Sequence, residues 1–140
     1  MSLLKLSGVT ASYGASQALF GVDLEIGEGE VLAVLGRNGM GKSTTVKCIC
    51  RMLAADGTLT FDGKDLNRLA SHRAARLGLG LVPEGRRCFG SLSVHENLIA
   101  AARRGAWTLE RVIDLFPRLG ERREQRAASL SGGEQQMLAI

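Results

Sequence analysis

Residues 31–53 constrain this chain more than any other stretch. Val31-Leu32-Ala33-Val34-Leu35 is an unbroken apolar run, the pattern of a strand covered on both faces. Gly36-Arg37-Asn38-Gly39-Met40-Gly41-Lys42-Ser43-Thr44 follows directly and fits G-x-x-x-x-G-K-[ST]. That pattern is a phosphate-cradling P-loop when it lies between a strand and a helix. From Lys42 to Leu53 there is no Gly or Pro, and Val46, Ile49, Cys50 and Leu53 recur on one helical face. Strand, glycine loop and helix come in the order the mechanism requires.

Each residue type has a physical reason. Gly36, Gly39 and Gly41 permit positive φ and leave no Cβ between backbone and anion. The loop amides, Asn38 among them, then point inward as a nest. The helix starting near Lys42 adds its unpaired N–H groups, those of Ser43 and Thr44 included, and its positive dipole end. Lys42 is expected to reach the β- and γ-phosphates, and the Ser43 hydroxyl to hold Mg²⁺. A glycine-rich loop that binds nothing is the bland alternative, and both flanks argue against it.

Length and charge narrow the remaining options. At 140 residues the chain is about one domain long. No apolar run approaches the roughly 18 residues of a membrane span. The N-terminus has neither an unbroken apolar h-region nor a small-residue cleavage site, so no signal peptide is expected. The chain is expected to be cytosolic unless a partner holds it at a membrane. Cys48, Cys50 and Cys88 form no C-x-x-C and are read as reduced thiols without a metal. His72 and His95 are too far apart to suggest a metal site. Net charge is +4, and between Arg103 and Arg126 seven Arg stand against four acids. That run reads as a solvated helical face in preference to a nucleic-acid surface.

In chain order, Leu4 to Val9 alternates apolar and polar, with a bulge expected at Gly8. Tyr13-Gly14 reads as a loop. Ala18 to Ile26 sets Phe20, Val22, Leu24 and Ile26 against Asp23 and Glu25, a half-buried strand. Asp56-Gly57 turns into Thr58–Phe61, which Asp62-Gly63 ends. The outer strands alternate and residues 31–35 do not, which predicts an antiparallel sheet against the edge of a parallel core. Leu66 to Leu77 reads as a basic amphipathic helix. Leu79-Gly80-Leu81-Val82 reads as a second short buried strand ended by Pro83. Ser93 and Glu96 form a capping box, opening a helix that buries Val94, Leu98 and Ala101 and ends at Gly105. Thr108 caps a helix carrying Leu109, Val112, Ile113 and Phe116, which Pro117 stops.

The second informative stretch is Leu130-Ser131-Gly132-Gly133-Glu134-Gln135-Gln136. Ser131 and Glu134 form another capping box. That does not explain Gly132-Gly133 in the first turn, where each glycine costs about 1 kcal/mol against alanine. Two glycines at a helix start leave bare amides for an anion. One chain thus carries two phosphate-facing helix ends.

With both motifs in this order, the chain resembles the ATP-binding-cassette (ABC) ATPases along its whole length. Leu130 to Gln136 is similar to their signature motif. The resemblance implies an α/β P-loop NTPase fold with an antiparallel β subdomain and a helical subdomain. Residues 1–86 would hold the β subdomain and P-loop core, and residues 87–140 the helical subdomain up to the signature motif. It implies ATP and Mg²⁺ as cofactors. Gly36, Asn38, Gly39, Gly41, Lys42, Ser43 and Thr44 would bind nucleotide from one side, and Ser131, Gly132, Gly133 and Gln135 from the other. Tyr13 matches the aromatic that stacks on adenine, and a tyrosine simply packed at a strand end is the competing reading. Glu84, in Val82-Pro83-Glu84, falls where the family carries a glutamine that senses Mg²⁺. A carboxylate there can reach the metal through water.

Leu81-Val82-Pro83-Glu84-Gly85-Arg86-Arg87, Phe89, Leu92-Ser93-Val94 and Glu96-Asn97-Leu98 resemble one subfamily, the ATPase subunits of bacterial high-affinity branched-chain amino-acid importers. Related importers of urea or short amides share much of the pattern. The resemblance implies a second ATPase subunit, identical or paralogous, transmembrane permease subunits, and indirectly a periplasmic binding protein. It implies no nucleic acid, and a peripheral place on the cytoplasmic face of the inner membrane. The family's Walker B strand, with its Asp and catalytic Glu, and its H-loop histidine have no match before Ile140. The only Asp after Asp65 is Asp114, in an amphipathic helix. The core sheet is therefore expected to be incomplete and the chain alone unable to hydrolyse ATP, as a fragment of a longer subunit or an inactive gene remnant. A soluble, non-transport ABC protein acting on ribosomes or DNA is the alternative.

Overall fold

The structure, a computed structural model, describes all of residues 1–140. It divides into two compact units, Met1–Leu81 and Val82–Ile140, where the sequence placed the boundary after residue 86.

The first unit is a four-stranded antiparallel sheet in the order β2-β1-β3-β4. Strands β1 (Ser2–Tyr13) and β2 (Ser16–Gly27) form a long hairpin. Strand β3 (Asp56–Phe61) pairs with the other edge of β1, and β4 (Lys64–Asp65) follows across a two-residue Asp62-Gly63 turn. Leu4 and Leu6 face the core, then Gly8 at φ +59° shifts the register, so that Val9 and Ala11 take over. A one-residue slip of this kind moves every later side chain to the other face. The same effect corrects β2: Leu19 is buried, whereas Phe20, expected inside, is 77% exposed. Gly21, at φ +108°, resets the phase before Val22, Leu24 and Ile26, which do pack against the core.

Helix α1 (Lys42–Ile49) is shorter than the periodicity suggested. It buries Thr44, Thr45 and Cys48, while Val46 lies at the surface. It ends in a Schellman turn, with Met52 N–H bonded to Lys47 O and Arg51 N–H to Cys48 O. Arg51 holds the left-handed position usually given to glycine, at φ +58°. Its guanidinium donates to the carbonyls of Asn67 and Leu69, fastening the helix end to the next loop. Of the expected helix Leu66–Leu77, only Ser71–Arg76 (α2) forms. Leu66 instead bonds Leu59 O and is fully buried with the sheet.

Two expected strands are not strands. Residues 31–35 pair with no neighbour, and Val31 and Leu35 are 97% and 89% exposed. Residues 79–82 likewise join no ladder, and Leu81 and Val82 are exposed. A continuous apolar run specifies a strand only when other strands flank it, and no strand of the β2-β1-β3-β4 sheet does so here.

The second unit is helical: α3 (Val94–Ala101), α4 (Leu109–Leu115), α5 (Pro117–Glu121), a 3₁₀ turn at Ala127–Ser129, and α6 (Gly132–Ala139). Val94, Leu119 and Leu130 are its buried centre. Helix α3 stops before Gly105, and Ala101 is exposed rather than buried. Pro117 does more than end α4: it opens α5 at N1, where its missing N–H costs nothing. Asn97 is the polar knot of this unit. Its carboxamide accepts from Phe89 N–H and donates to the carbonyls of Phe89 and Ser93 at 2.8–3.0 Å.

Two predictions follow from this packing. A Cβ on Gly57 would stand 2.6 Å from Gly8 O, at φ +94°, whereas Gly14 needs only its positive φ. Gly14→Ala should cost about 1–2 kcal/mol and Gly57→Ala clearly more, as read from urea unfolding of the β unit. Asn97→Leu should destabilise the helical unit by about 1–3 kcal/mol, because buried partners are left unbonded. Amide exchange at Phe89 should rise in parallel.

Candidate functional site

Sequence and backbone together leave the start of α1 open. No side chain caps this helix, and Gly41, at its N-cap, is left-handed at φ +86°. A Cβ there would meet Leu19 Cδ2 at 2.7 Å and Ala18 O at 3.2 Å, so the loop end is pressed against β2. Gly39 also has positive φ, at +84°, but Gly36 does not. The reading of Gly36 as a positive-φ position is corrected: a Cβ there would lie 3.8–3.9 Å from Met40 and the Lys42 stem, an ordinary contact. Thr45 N–H bonds Gly41 O, and the first-turn amides before it have no intrahelical acceptor.

Lys42 folds its ammonium back onto the carbonyls of Gly36 and Arg37, the latter at 2.9 Å. A lysine spanning its own loop holds a positive charge over the nest. Asn38 and Ser43 are exposed. Thr44 is buried, and its hydroxyl shares a hydrogen bond of 3.4 Å with Tyr13 at the end of β1. That bond, followed by the Lys47 ammonium, lowers the Tyr13 hydroxyl below its ordinary pKa. Tyr13 is therefore tied to the P-loop helix, a link invisible in the sequence because it joins a strand end to a helix start.

The signature helix α6 is built differently. The Ser131 hydroxyl accepts from Glu134 N–H, and the Glu134 carboxylate accepts from Ser131 N–H at 2.9 Å. The box uses the amides of Ser131 and Glu134 and leaves those of Gly132 and Gly133 free. Glu134 also pairs with Arg122, Nε to Oε1 at 2.8 Å, in an orientation that misses hydrogen-bond alignment. Gln135 donates its carboxamide N–H to Ala127 O, bracing the preceding 3₁₀ turn. Gly133 opens onto free space. A Cβ on Gly132 would lie 2.6 Å from Cζ of Arg86, the far end of an exposed side chain. The Arg86 guanidinium fills the volume a side chain would take.

Glu84 is exposed, at the start of the second unit. No three His, Cys, Asp or Glu side chains gather as a metal cluster. The residues fit a Mg²⁺-bearing nucleotide on the P-loop side, where an uncapped helix start and an exposed serine hydroxyl adjoin.

The fold and the two motifs define an ATP-binding cassette, and the chain belongs to the ABC transporter family, whose pattern it matches over residues 19–140. It is 44% identical to the high-affinity branched-chain amino acid transport ATP-binding protein BraG of Pseudomonas aeruginosa, over 99% of this chain and 62% of that protein. It is 31% identical to the lipopolysaccharide export system ATP-binding protein LptB of Escherichia coli, over all of this chain and 61% of that one. Among solved structures it is similar to an ATP-binding subunit of an ABC transporter, with TM-score 0.83 and 27% identity over 99% of this chain and 60% of the other. It is also similar to a bacterial Atm1-family ABC exporter with ATP bound, with TM-score 0.79 and 27% identity over 97% of this chain and 26% of that one. The chain thus spans about three-fifths of the length of the first relatives.

Backbone bonds from Ser131, then the charge of Arg122, hold the Glu134 carboxyl below its ordinary pKa of 4.5. A depressed carboxylate adds stability above the unfolded pKa and loses it as pH falls through the folded one. Wild type should therefore exceed Glu134→Gln in stability at neutral pH. The difference should shrink below pH 4.5 and vanish well under it, as read from urea midpoints across pH.

Proposed function

We propose that this chain is the nucleotide-binding part of an ABC importer subunit, coupling ATP binding and hydrolysis to branched-chain amino-acid uptake. The observation that carries the reading is the uncapped, glycine-lined start of α1, in a chain 44% identical to a subunit named for that transport. The loop amides and Lys42 bind the phosphates, Ser43 supplies a hydroxyl to Mg²⁺, and Tyr13 offers its ring to the adenine. Bound Mg²⁺ neutralises charge on the β- and γ-phosphate oxygens.

The free amides of Gly132 and Gly133, with the Ser131 hydroxyl, would take the γ-phosphate held by a second subunit's P-loop. Two subunits would then enclose two nucleotides head to tail, and their closing and opening would drive the permease subunits. Gln135 acts in this scheme by holding the turn that precedes the motif. In the full subunit, Glu84 is the carboxylate that would hold Mg²⁺ through an intervening water. No helix is long and apolar enough to cross a membrane. This agrees with a peripheral position on the cytoplasmic face, held by permeases that receive substrate from a periplasmic binding protein. Hydrolysis is proposed for a subunit of the relatives' full length.

Lys42→Ala should weaken Mg·ATP binding by more than about tenfold, since charge-assisted bonds to phosphate are the strong ones. Equilibrium dialysis reads this directly. Unchanged affinity overturns the P-loop assignment. Multiple turnover by this chain, lost in Lys42→Ala, overturns the assignment of hydrolysis to the longer subunit.

A further inference from the structure

Gly85 and Arg86 both hold left-handed backbone, at φ +87° and +54°, a conformation that disfavours a residue with a Cβ. Cys88 N–H closes the turn on Arg86 O at 2.9 Å. The guanidinium comes to lie against the first residue of α6: a Cβ on Gly132 would be 2.6 Å from Cζ and 2.9 Å from Nη2 of Arg86. Arg86 is exposed and pairs with no carboxylate. Glu134, the acid of the same turn, is already engaged by Arg122 and by Ser131 N–H. An uncompensated cation thus stands beside the positive end of a helix, where the two repel. An anion between them relieves that repulsion, and the amides of Gly132 and Gly133 are free to donate to it.

We propose that Arg86 is a phosphate ligand of the signature motif: its guanidinium supplies the positive charge that Ser131, Gly132 and Gly133 lack. This rests on the reading of the α6 start as a phosphate site. The P-loop carries its own cation in Lys42, whereas the signature motif contributes only a hydroxyl and amides. A planar guanidinium answers that need, because two of its N–H groups can meet two phosphate oxygens at once. The arm does not have to be fixed beforehand. An exposed guanidinium tethered at the helix start needs only to reach.

Inorganic pyrophosphate is the probe, because it carries phosphate charge and no base. The backbone amide resonances of Gly132 and Gly133 report on this helix separately from the P-loop. They would be followed by NMR as pyrophosphate is added to the wild-type chain, Arg86→Gln and Arg87→Gln. Glutamine keeps a side chain at the left-handed position, so the backbone preference of the turn is little altered. Both amides should shift and saturate in wild type. Arg86→Gln should raise the dissociation constant read there by about three- to tenfold, between a surface ion pair and a well-made charged hydrogen bond. Arg87→Gln removes the neighbouring charge and should have a clearly smaller effect. No change in Arg86→Gln, or an equal loss in Arg87→Gln, overturns the proposal and leaves the signature amides as the site. If neither amide shifts in wild type, the reading of α6 as a phosphate site fails and this inference with it.

Discussion

The contact on which the site depends is the pressing of Gly41 against β2. With Leu19 Cδ2 and the Ala18 carbonyl where a side chain would be, the P-loop has one way to end and α1 one place to begin. Every contact proposed for the nucleotide in this unit is referred to that point. Lys42 turns back over its own loop, Thr44 reaches the Tyr13 hydroxyl, and Lys47 reaches the same hydroxyl from the next turn. The hairpin register matters to binding for the same reason. The bulge at Gly8 turns Val9 and Ala11 into the core, and the strand that emerges delivers Tyr13 at its end.

Local chemistry was the legible part of the sequence. Both Ser–Glu capping boxes, the Thr108 cap, the Asp62-Gly63 turn and the bulge at Gly8 involve residues a few positions apart, and each forms as read. The antiparallel sheet was legible because alternation survives on a half-covered face. Phase was not. A register shift at Gly21 puts Leu19 rather than Phe20 inside, and a pattern read straight through it assigns the wrong face. Non-local contacts left no trace at all. Nothing in Arg86 or Gly132 announces that one fills the other's missing side chain, and Asn97 looks like any polar residue on a helix until four backbone groups converge on it.

Residues 31–35 and 79–82 show why an apolar run is conditional information. Its composition states that both faces and both edges need cover, but not that the cover is supplied. Here the backbone stays unpaired and the side chains meet solvent. Burial of such surface is worth about 25 cal/mol per Å². An unpaired apolar segment is also a template for any strand that meets it. The P-loop that follows is thus organised by α1 after it and by its packing on β2, not by residues 31–35.

The two phosphate-facing helix starts differ in how they are terminated. Helix α6 satisfies its own end through Ser131 and Glu134 and still keeps two amides bare. Helix α1 has no cap of its own. A phosphate bound as proposed would act as the missing cap of one helix and as a guest of the other. Occupancy should tighten the first turn of α1, whereas α6 holds its shape whether filled or empty. Of the two halves of the proposed sandwich, one is a template fixed in advance and the other is finished by its ligand.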